Sequence, residues 1–187
     1  ARYLTATRQR RIIGSFSHGS MANAMPMAMG AQAAFPERQV IALSGDGGLG
    51  MLMGELLTLR QHDLPVKVVV YNNSSLNFIE LEMKADGFVP FATDLHNPDY
   101  AKVAEAMGIW GQRVERSTKL PKAIDEFLAH AGPALLDVVT ERQELTIPPT
   151  ITAQQVKGFS LYALRAVLSG QGSELVDLAR ANVRRIL

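Results

Sequence analysis

Residues 40–44 (VIALS) and 66–71 (VKVVVY) are short apolar runs rich in β-branched residues, and each stops at a cluster of small polar ones. Runs of that length, bounded in that way, read as buried strands. Between them, residues 51–62 repeat Leu52, Leu56 and Leu59 at helical spacing, with Pro65 beyond the end. Strand, helix, strand is the unit of a parallel sheet, because parallel neighbours need a long crossover. The pattern continues downstream. Residues 98–107 read as a helix with Asn97 as N-cap, Pro98 at the first helical position and Gly108 as the stop. Residues 111–115 read as a strand, 120–130 as a helix and 134–140 (ALLDVVT) as another buried strand. Upstream, residues 11–15 (RIIGS) read as a strand and 21–35 as an Ala/Met-rich buried helix. The expected fold is α/β, a mainly parallel sheet with helices on both faces, followed by a C-terminal helical tail. In such sheets ligands sit beyond the carboxyl ends of the strands.

Composition narrows the function classes. With 187 residues, 47% hydrophobic and 20% charged, the chain is globular and neither disordered nor collagen-like. Zero cysteines exclude thiol catalysis and zinc–thiolate sites and fit a reducing compartment. A net charge of +1 provides no basic field, so no nucleic-acid partner is expected. Residues 12–36 carry no charge, yet Ser15, Ser17, His18, Ser20, Asn23, Pro26 and Gln32 make them a polar loop and buried helix rather than a membrane span. His18, His62, His96 and His130 show no ligand spacing, and Ser17–His18 has no placed acid partner for a hydrolase triad.

The first strand runs into Gly45-Asp46-Gly47-Gly48-Leu49-Gly50, which satisfies the dinucleotide pattern G-x-G-x-x-G. The chemistry argues against a dinucleotide. Asp46 would aim an anion at the pyrophosphate, and the next strand ends in Asn72-Asn73 rather than in the acid that holds a ribose. A cation between Asp46 and a diphosphate resolves the conflict. Twenty-four residues separate Gly47 from Asn72, enough for one helix and one strand that return the chain to the same sheet edge. Asp46 then supplies one hard oxygen and Asn73 an amide oxygen, a set that suits Mg²⁺ completed by phosphate and water. The glycines allow backbone amides to approach the diphosphate.

Gly-Asp-Gly, twenty-four residues, then Asn-Asn resembles the motif of thiamine diphosphate enzymes. The resemblance implies that Mg²⁺ is held by Asp46, the Asn73 side chain and the Ser75 backbone carbonyl. It further implies a cofactor envelope of Gly19, Ser20, Met21, Asp46, Gly47, Gly48, Asn73, Ser74, Ser75, Leu76, Asn77, Phe78 and Ile79. The segment from Gly14 to Pro26 is similar to the loop and helix that carry the aminopyrimidine. There Met21 takes the place of the apolar wedge under the thiazolium, and a carbonyl near Gly19 orients the amino group. Ala22 and Ala24 stand where many relatives have glycine.

The segment from Asn72 to Glu80 and the C-terminal third resemble the bacterial pyruvate oxidases most, in their quinone-reducing form. Acetohydroxyacid synthases share the frame but usually follow it with a Gly-Met and Gln/Trp-rich segment, absent here. The resemblance implies decarboxylation of pyruvate to acetate and CO2, with electrons passing through FAD to a membrane quinone. Phe78 then lies near the flavin side of the thiazolium, or is a plain core phenylalanine. The activating glutamate comes from a neighbouring subunit's pyrimidine domain, and FAD from a further domain. No catalytic residue is therefore expected here; Glu37, Glu55 and Glu80 do not replace that glutamate. At least a dimer is implied, a tetramer for the whole enzyme. The chain begins at Ala1 without Met and is read as the carboxyl-terminal domain of a longer enzyme, inactive alone. The division expected is a cofactor domain over 1–147, a linker and short helix over 148–170, and a tail helix over 171–187. A phosphate-dependent oxidase, or another thiamine-dependent decarboxylase or carboligase, remains as an alternative. So does a non-catalytic remnant that binds lipid or a partner.

The tail differs in charge from the body. Residues 1–156 hold 14 Lys and Arg against 16 Asp and Glu, residues 157–187 hold 5 against 2. Residues 173–187 read as an amphipathic helix capped by Ser173, with Leu175, Ala179, Val183, Ile186 and Leu187 at helical spacing and Arg180, Arg184 and Arg185 as cations. Fifteen helical residues span about 22 Å, too short to cross a bilayer. The helix either lies in the interface of an anionic membrane or docks on its own domain or the partner subunit. With the resemblance, the expectation is a cytoplasmic enzyme, peripheral on the inner face of the cell membrane.

Overall fold

The computed structural model describes residues 4–143 and 152–186, with side chains of the last helix as far as residue 182. The chain forms two compact units, Ala1–Asn72 with Asn97–Val139, and Asn73–His96 with Thr140–Leu187. The linker expected around Pro148-Pro149 lies outside the described residues.

The first unit is a four-stranded parallel sheet flanked by helices. Its strands are β1 (Ile41–Gly45), β2 (Lys67–Asn72), β3 (Trp110–Val114) and β4 (Ala134–Val139), in the order β1-β2-β4-β3. In chain order the helices are α1 (Ala24–Ala34), α2 (Asp46–Met51), α3 (Leu56–Gln61), α4 (Asn77–Ala85), α5 (Tyr100–Ala106) and α6 (Leu120–Ala129), of which α4 belongs to the second unit. Alternation along the strands divides the core between the faces. Val68 and Val70 of β2 and Leu135 of β4 pack with Met25, Leu56, Leu59 and Tyr100 from α1, α3 and α5. Val69 packs with Ala134 and Leu136 against Ala123 and Phe127 of α6 on the opposite face. The register, Val68 beside Leu135 and Val69 beside Leu136, fixes that division. Helices thus lie on both faces. Over β1 the second face keeps Ile41 44% and Leu43 41% exposed, so α6 covers only the β4 and β3 side of it.

Three local expectations are corrected. Residues 11–15 form no strand, because an extended segment is stable in a sheet only with a partner ladder, and Ile13 stays exposed. The helix expected over 51–62 begins earlier, on the glycine cluster itself. It breaks at Leu52 (φ −131°, ψ 33°) and resumes through a 3-10 turn, Met53–Glu55, into α3. Leu56 and Leu59 are buried as the spacing predicts, whereas Leu52 is exposed. The N-cap of α5 is Asp99, whose carboxylate accepts from Lys102 N–H at 3.1 Å. Asn97 instead directs its amide to the strand ends.

The second unit packs three helices, α4, α7 (Ala153–Leu168) and α8 (Gly172–Ile186). Thr152 and Gln155 close a capping box at the start of α7, each satisfying an otherwise orphaned donor. Gly158 permits α7 to cross α4 closely, since a Cβ there would fall 1.8 Å from the Ala85 carbonyl oxygen. Tyr162, fully buried on α7, donates its hydroxyl to Glu174 of α8 at 3.2 Å. Leu178 and Asn182 of α8 are buried, and Asn182 Nδ2 donates to the Gln143 carbonyl at 2.8 Å. The described inward side of α8 therefore packs within its own unit.

Candidate functional site

Gly45 ends β1 opposite Tyr71, so Asp46 and Asn72 leave adjacent strands at the same level. Asp46 is 3% exposed, opens α2, and accepts from the Gly47 N–H at 2.9 Å. Asn97 bridges the two strand ends. Its Nδ2 donates to Asp46 Oδ2 at 2.7 Å and to Asn72 Oδ1 at 3.0 Å, one hydrogen to each. Tyr100 supports Asn97 in turn, its hydroxyl donating to Asn97 Oδ1 at 3.0 Å.

Asp137, completely buried on β4, closes the network from below. Oδ1 accepts from Asn72 Nδ2 at 3.0 Å, and Oδ2 from Arg113 Nη1 at 2.6 Å and the Tyr100 N–H at 3.3 Å. Buried charge is tolerated when paired and hydrogen-bonded: Asp137 pairs with Arg113, and Asp46 accepts hydrogen bonds from Gly47 and Asn97. Burial, with the charges of Asp46 and Asp137 adding to it, pushes the Tyr100 phenol up to about 12, so it stays a neutral donor.

The expected loop before α1 sits with this arrangement. Gly19 adopts φ +59°, a left-handed conformation that favours glycine, and Ser20 leads into a 3-10 turn over Met21–Asn23. A Cβ on Gly48 would lie 2.4 Å from the Met21 carbonyl oxygen, so only glycine permits the turn to rest on α2. The first unit thereby brings Gly19, Ser20 and Met21 together with Asp46, Gly47 and Gly48. Met21 is 41% exposed.

The remaining predicted residues belong to the second unit. Asn73 Oδ1 accepts from the Ser75 N–H at 3.1 Å, and Ser74 between them has φ +56°. That is an Asx turn, for which asparagine is suited by its short amide. A short antiparallel pairing holds the turn: Leu76 N–H donates to Thr93 O at 2.8 Å, Leu95 N–H to Ser74 O at 3.0 Å, and Ser75 bridges to Asp94. Ser75 is buried and donates its hydroxyl to Glu80. Leu76 and Asn77 are half-buried at the start of α4. Phe78 is 71% exposed and Ile79 exposed beside it, so Phe78 is no core phenylalanine of this unit.

Sequence reading missed Asn97, Tyr100, Asp137 and Glu80. A signal existed for Asn97. Asn97-Pro98-Asp99 offers two cap-type residues to one helix, and only one of them can cap it.

Comparison with known proteins points the same way. The family model of thiamine pyrophosphate enzymes, C-terminal TPP binding domain, matches residues 1–138. The putative thiamine pyrophosphate-containing protein YdaP of Bacillus subtilis is 36% identical over 181 residues, 97% of this chain and 31% of that protein. The acetolactate synthase isozyme 2 large subunit of Escherichia coli is 34% identical over 152 residues, 79% of this chain and 27% of that protein. The mitochondrial acetolactate synthase catalytic subunit of Aspergillus candidus is 36% identical over 140 residues, 74% and 20% of the two chains. The chain thus spans less than a third of the length of these relatives. A match over most of the chain, on a sheet that delivers Asp46 and Asn72 to neighbouring strand ends, places the protein in the thiamine pyrophosphate enzyme family, as its C-terminal TPP-binding domain.

Proposed function

We propose that this chain is the Mg²⁺- and thiamine diphosphate-binding domain of a flavin-dependent pyruvate oxidase that passes electrons to a membrane quinone. The buried, bridged carboxylate of Asp46 at the end of β1 is the observation that carries the cofactor reading. Its chemistry fits the group. Hard oxygen donors suit Mg²⁺, which is usually held by one or two carboxylates together with phosphates. Gly48 lets the Met21 turn rest against α2, where a side chain would collide with it. Among the described residues no three His, Asp or Glu side chains gather into a cage, so a cation here needs neutral oxygens as well. Asp46, the Asn73 side chain and the Ser75 carbonyl are the proposed ligands. Gly19, Ser20 and Met21 are proposed to line the aminopyrimidine side, with Leu76, Asn77, Phe78 and Ile79 lining the thiazolium side.

When bound, thiamine diphosphate supplies the electron sink for decarboxylating a 2-keto acid. This chain's residues bind and orient it. Asn97 and Asp137 hold Asp46 and Asn72 at fixed positions, and Tyr100 stays protonated to support Asn97. The activating glutamate, the FAD site and pyruvate recognition are assigned to other domains of a homo-oligomeric enzyme.

The oxidase form rests on the resemblance of residues 72–80 and the C-terminal third to the quinone-reducing pyruvate oxidases. YdaP matches 97% of the chain, which reaches into the C-terminal helices, whereas the acetolactate synthases match 74–79%. Those synthases at 34–36% identity support the second reading, a carboligase. Purified full-length protein given pyruvate distinguishes the two. Ferricyanide or quinone reduction with one acetate per CO2 supports the oxidase, and acetolactate without acceptor reduction overturns it. Peroxide formation that requires phosphate would instead indicate the phosphate-dependent form.

Membrane contact through the C-terminal helices, on the cytoplasmic face, belongs to the same proposal. Among the described residues no helix is long and apolar enough to cross a membrane; the contact proposed is by docking. Deleting the residues after Gly170 should abolish co-sedimentation with anionic liposomes while sparing ferricyanide-linked oxidation. Unchanged lipid binding would remove the role of α8.

A further inference from the structure

Glu80 lies on α4, 2% exposed, and has no part in the proposed ligand set, yet three side chains converge on it. Lys84 Nζ is 2.6 Å from Oε1, one helical turn further along, and is itself 1% exposed. Arg142 Nη2 is 3.2 Å from Oε2, and Ser75 Oγ donates to that same oxygen at 2.7 Å. Arg142 also pairs with Asp94, which faces Ser75 across the short antiparallel bridge. One guanidinium thus grips one strand of the bridge through Asp94 and the other through Glu80 and Ser75.

Two buried or half-buried cations already balance the two carboxylates, so the cluster is electrostatically closed without the hydroxyl. Lys84 also lies over the buried Tyr162 ring of α7, 5.5 Å from its centroid. Among the described residues, the one uncharged side chain bonded to Glu80 belongs to Ser75, whose carbonyl is a proposed metal ligand. Ser75 also donates its N–H to the Asn73 oxygen, the second proposed ligand of this turn. Its side-chain and backbone bonds thus tie Asn73, Ser75 and Glu80 into one rigid unit.

We infer that Glu80 is a positioning residue for the cofactor turn: through Ser75 Oγ it fixes the orientation of the Asn73–Ser75 segment. This rests on the reading of Asn73 and Ser75 as metal ligands, and the test separates the two. Mn²⁺ binding is measured on the full-length protein with thiamine diphosphate present, from the loss of the free-ion electron paramagnetic resonance signal. Wild type is compared with Ser75→Ala, Glu80→Gln and Asp46→Asn, beside the thermal midpoint of each without ligands. Ser75→Ala deletes the bond to Glu80 but keeps the backbone carbonyl and the ion cluster, so it folds even where Glu80→Gln does not. Expected are a roughly tenfold weaker Mn²⁺ affinity in Ser75→Ala, faster amide exchange in residues 73–79, and a midpoint within about 2 °C of wild type. If Ser75→Ala binds Mn²⁺ as wild type does while Asp46→Asn loses it, Glu80 is a structural ion pair only and the metal reading survives. If Asp46→Asn also binds normally, the metal reading itself fails and this inference falls with it.

Discussion

Asn97 Nδ2 lies 2.7 Å from Asp46 Oδ2 and 3.0 Å from Asn72 Oδ1, so one amide group ties the ends of two adjacent strands together. Hydrogen bonds to a charged acceptor contribute more than neutral ones, and losing one at a half-buried site leaves the carboxylate undersatisfied. Replacing Asn97 by Ala is expected to lower stability by about 1–3 kcal/mol in urea titrations. It should also weaken Mn²⁺ binding in the presence of thiamine diphosphate by about tenfold, since Asp46 is no longer held. A variant with wild-type stability and affinity would show that the bridge positions nothing.

Glycine substitutions separate close approach from open space. Gly48→Ala drives a Cβ to within 2.4 Å of the Met21 carbonyl oxygen, a backbone atom that only a shift of the Met21 turn can clear. Overpacking of this kind costs about 1–3 kcal/mol. Gly30, inside α1 and exposed, has nothing within 4 Å of the position a Cβ would take, so Gly30→Ala should instead stabilise by about 0.5–1 kcal/mol. Urea midpoints of the two variants are expected to move in opposite directions.

How far the molecule is legible in its sequence follows from the range of the interactions. The strands at residues 41–45, 67–72 and 134–139 are readable because β-branched and apolar runs declare burial locally. RIIGS at 11–15 has the same local look and fails, since a strand also needs a neighbour that no local pattern reports. Leu52 fails for a related reason. Helix geometry starts at Asp46 and breaks before the expected stripe begins. In the site, the conflict between an aspartate and a dinucleotide singles out Asp46 on chemistry alone. Asn97 and Arg142 stay hidden because their partners Asp46 and Glu80 lie 51 and 62 residues away. Only the folded chain brings such pairs together.

Arg113 and Asp137 make a second stability test. The Arg113 side chain is 29% exposed and Asp137 wholly buried, with 2.6 Å between Nη1 and Oδ2. Arg113→Met keeps the aliphatic stem but strands a buried carboxylate on two amide donors. A loss of about 2–4 kcal/mol is expected, most of it the desolvation of Asp137 rather than the worth of the pair. The double variant Arg113→Met with Asp137→Leu should recover part of that loss in guanidinium unfolding. A single variant as stable as wild type would mean that Asp137 is solvated in solution.

Alkaline pH tests the electrostatics around Tyr100. Burial, then the neighbouring charges of Asp46 and Asp137, raise its phenol from 10.0 to about 12 in the folded chain. The folded state therefore holds this proton more tightly than the unfolded chain does. By linkage, the resulting stability is fully present below pH 10 and is lost as pH rises from there through about 12. Tyr162, raised by burial and by Glu174, acts in the same direction. Absorbance at 295 nm should show a late tyrosinate phase that loses one tyrosine's amplitude near pH 12 in Tyr100→Phe, while unfolding free energies fall over the same interval. In Tyr100→Phe that fall should be shallower, because one of the two retained protons is gone. Asp46→Asn should move the late phase to lower pH, because one of the two charges opposing ionisation is removed. A Tyr100 that titrates near pH 10 in the folded protein would mean that it is not buried beside those two carboxylates.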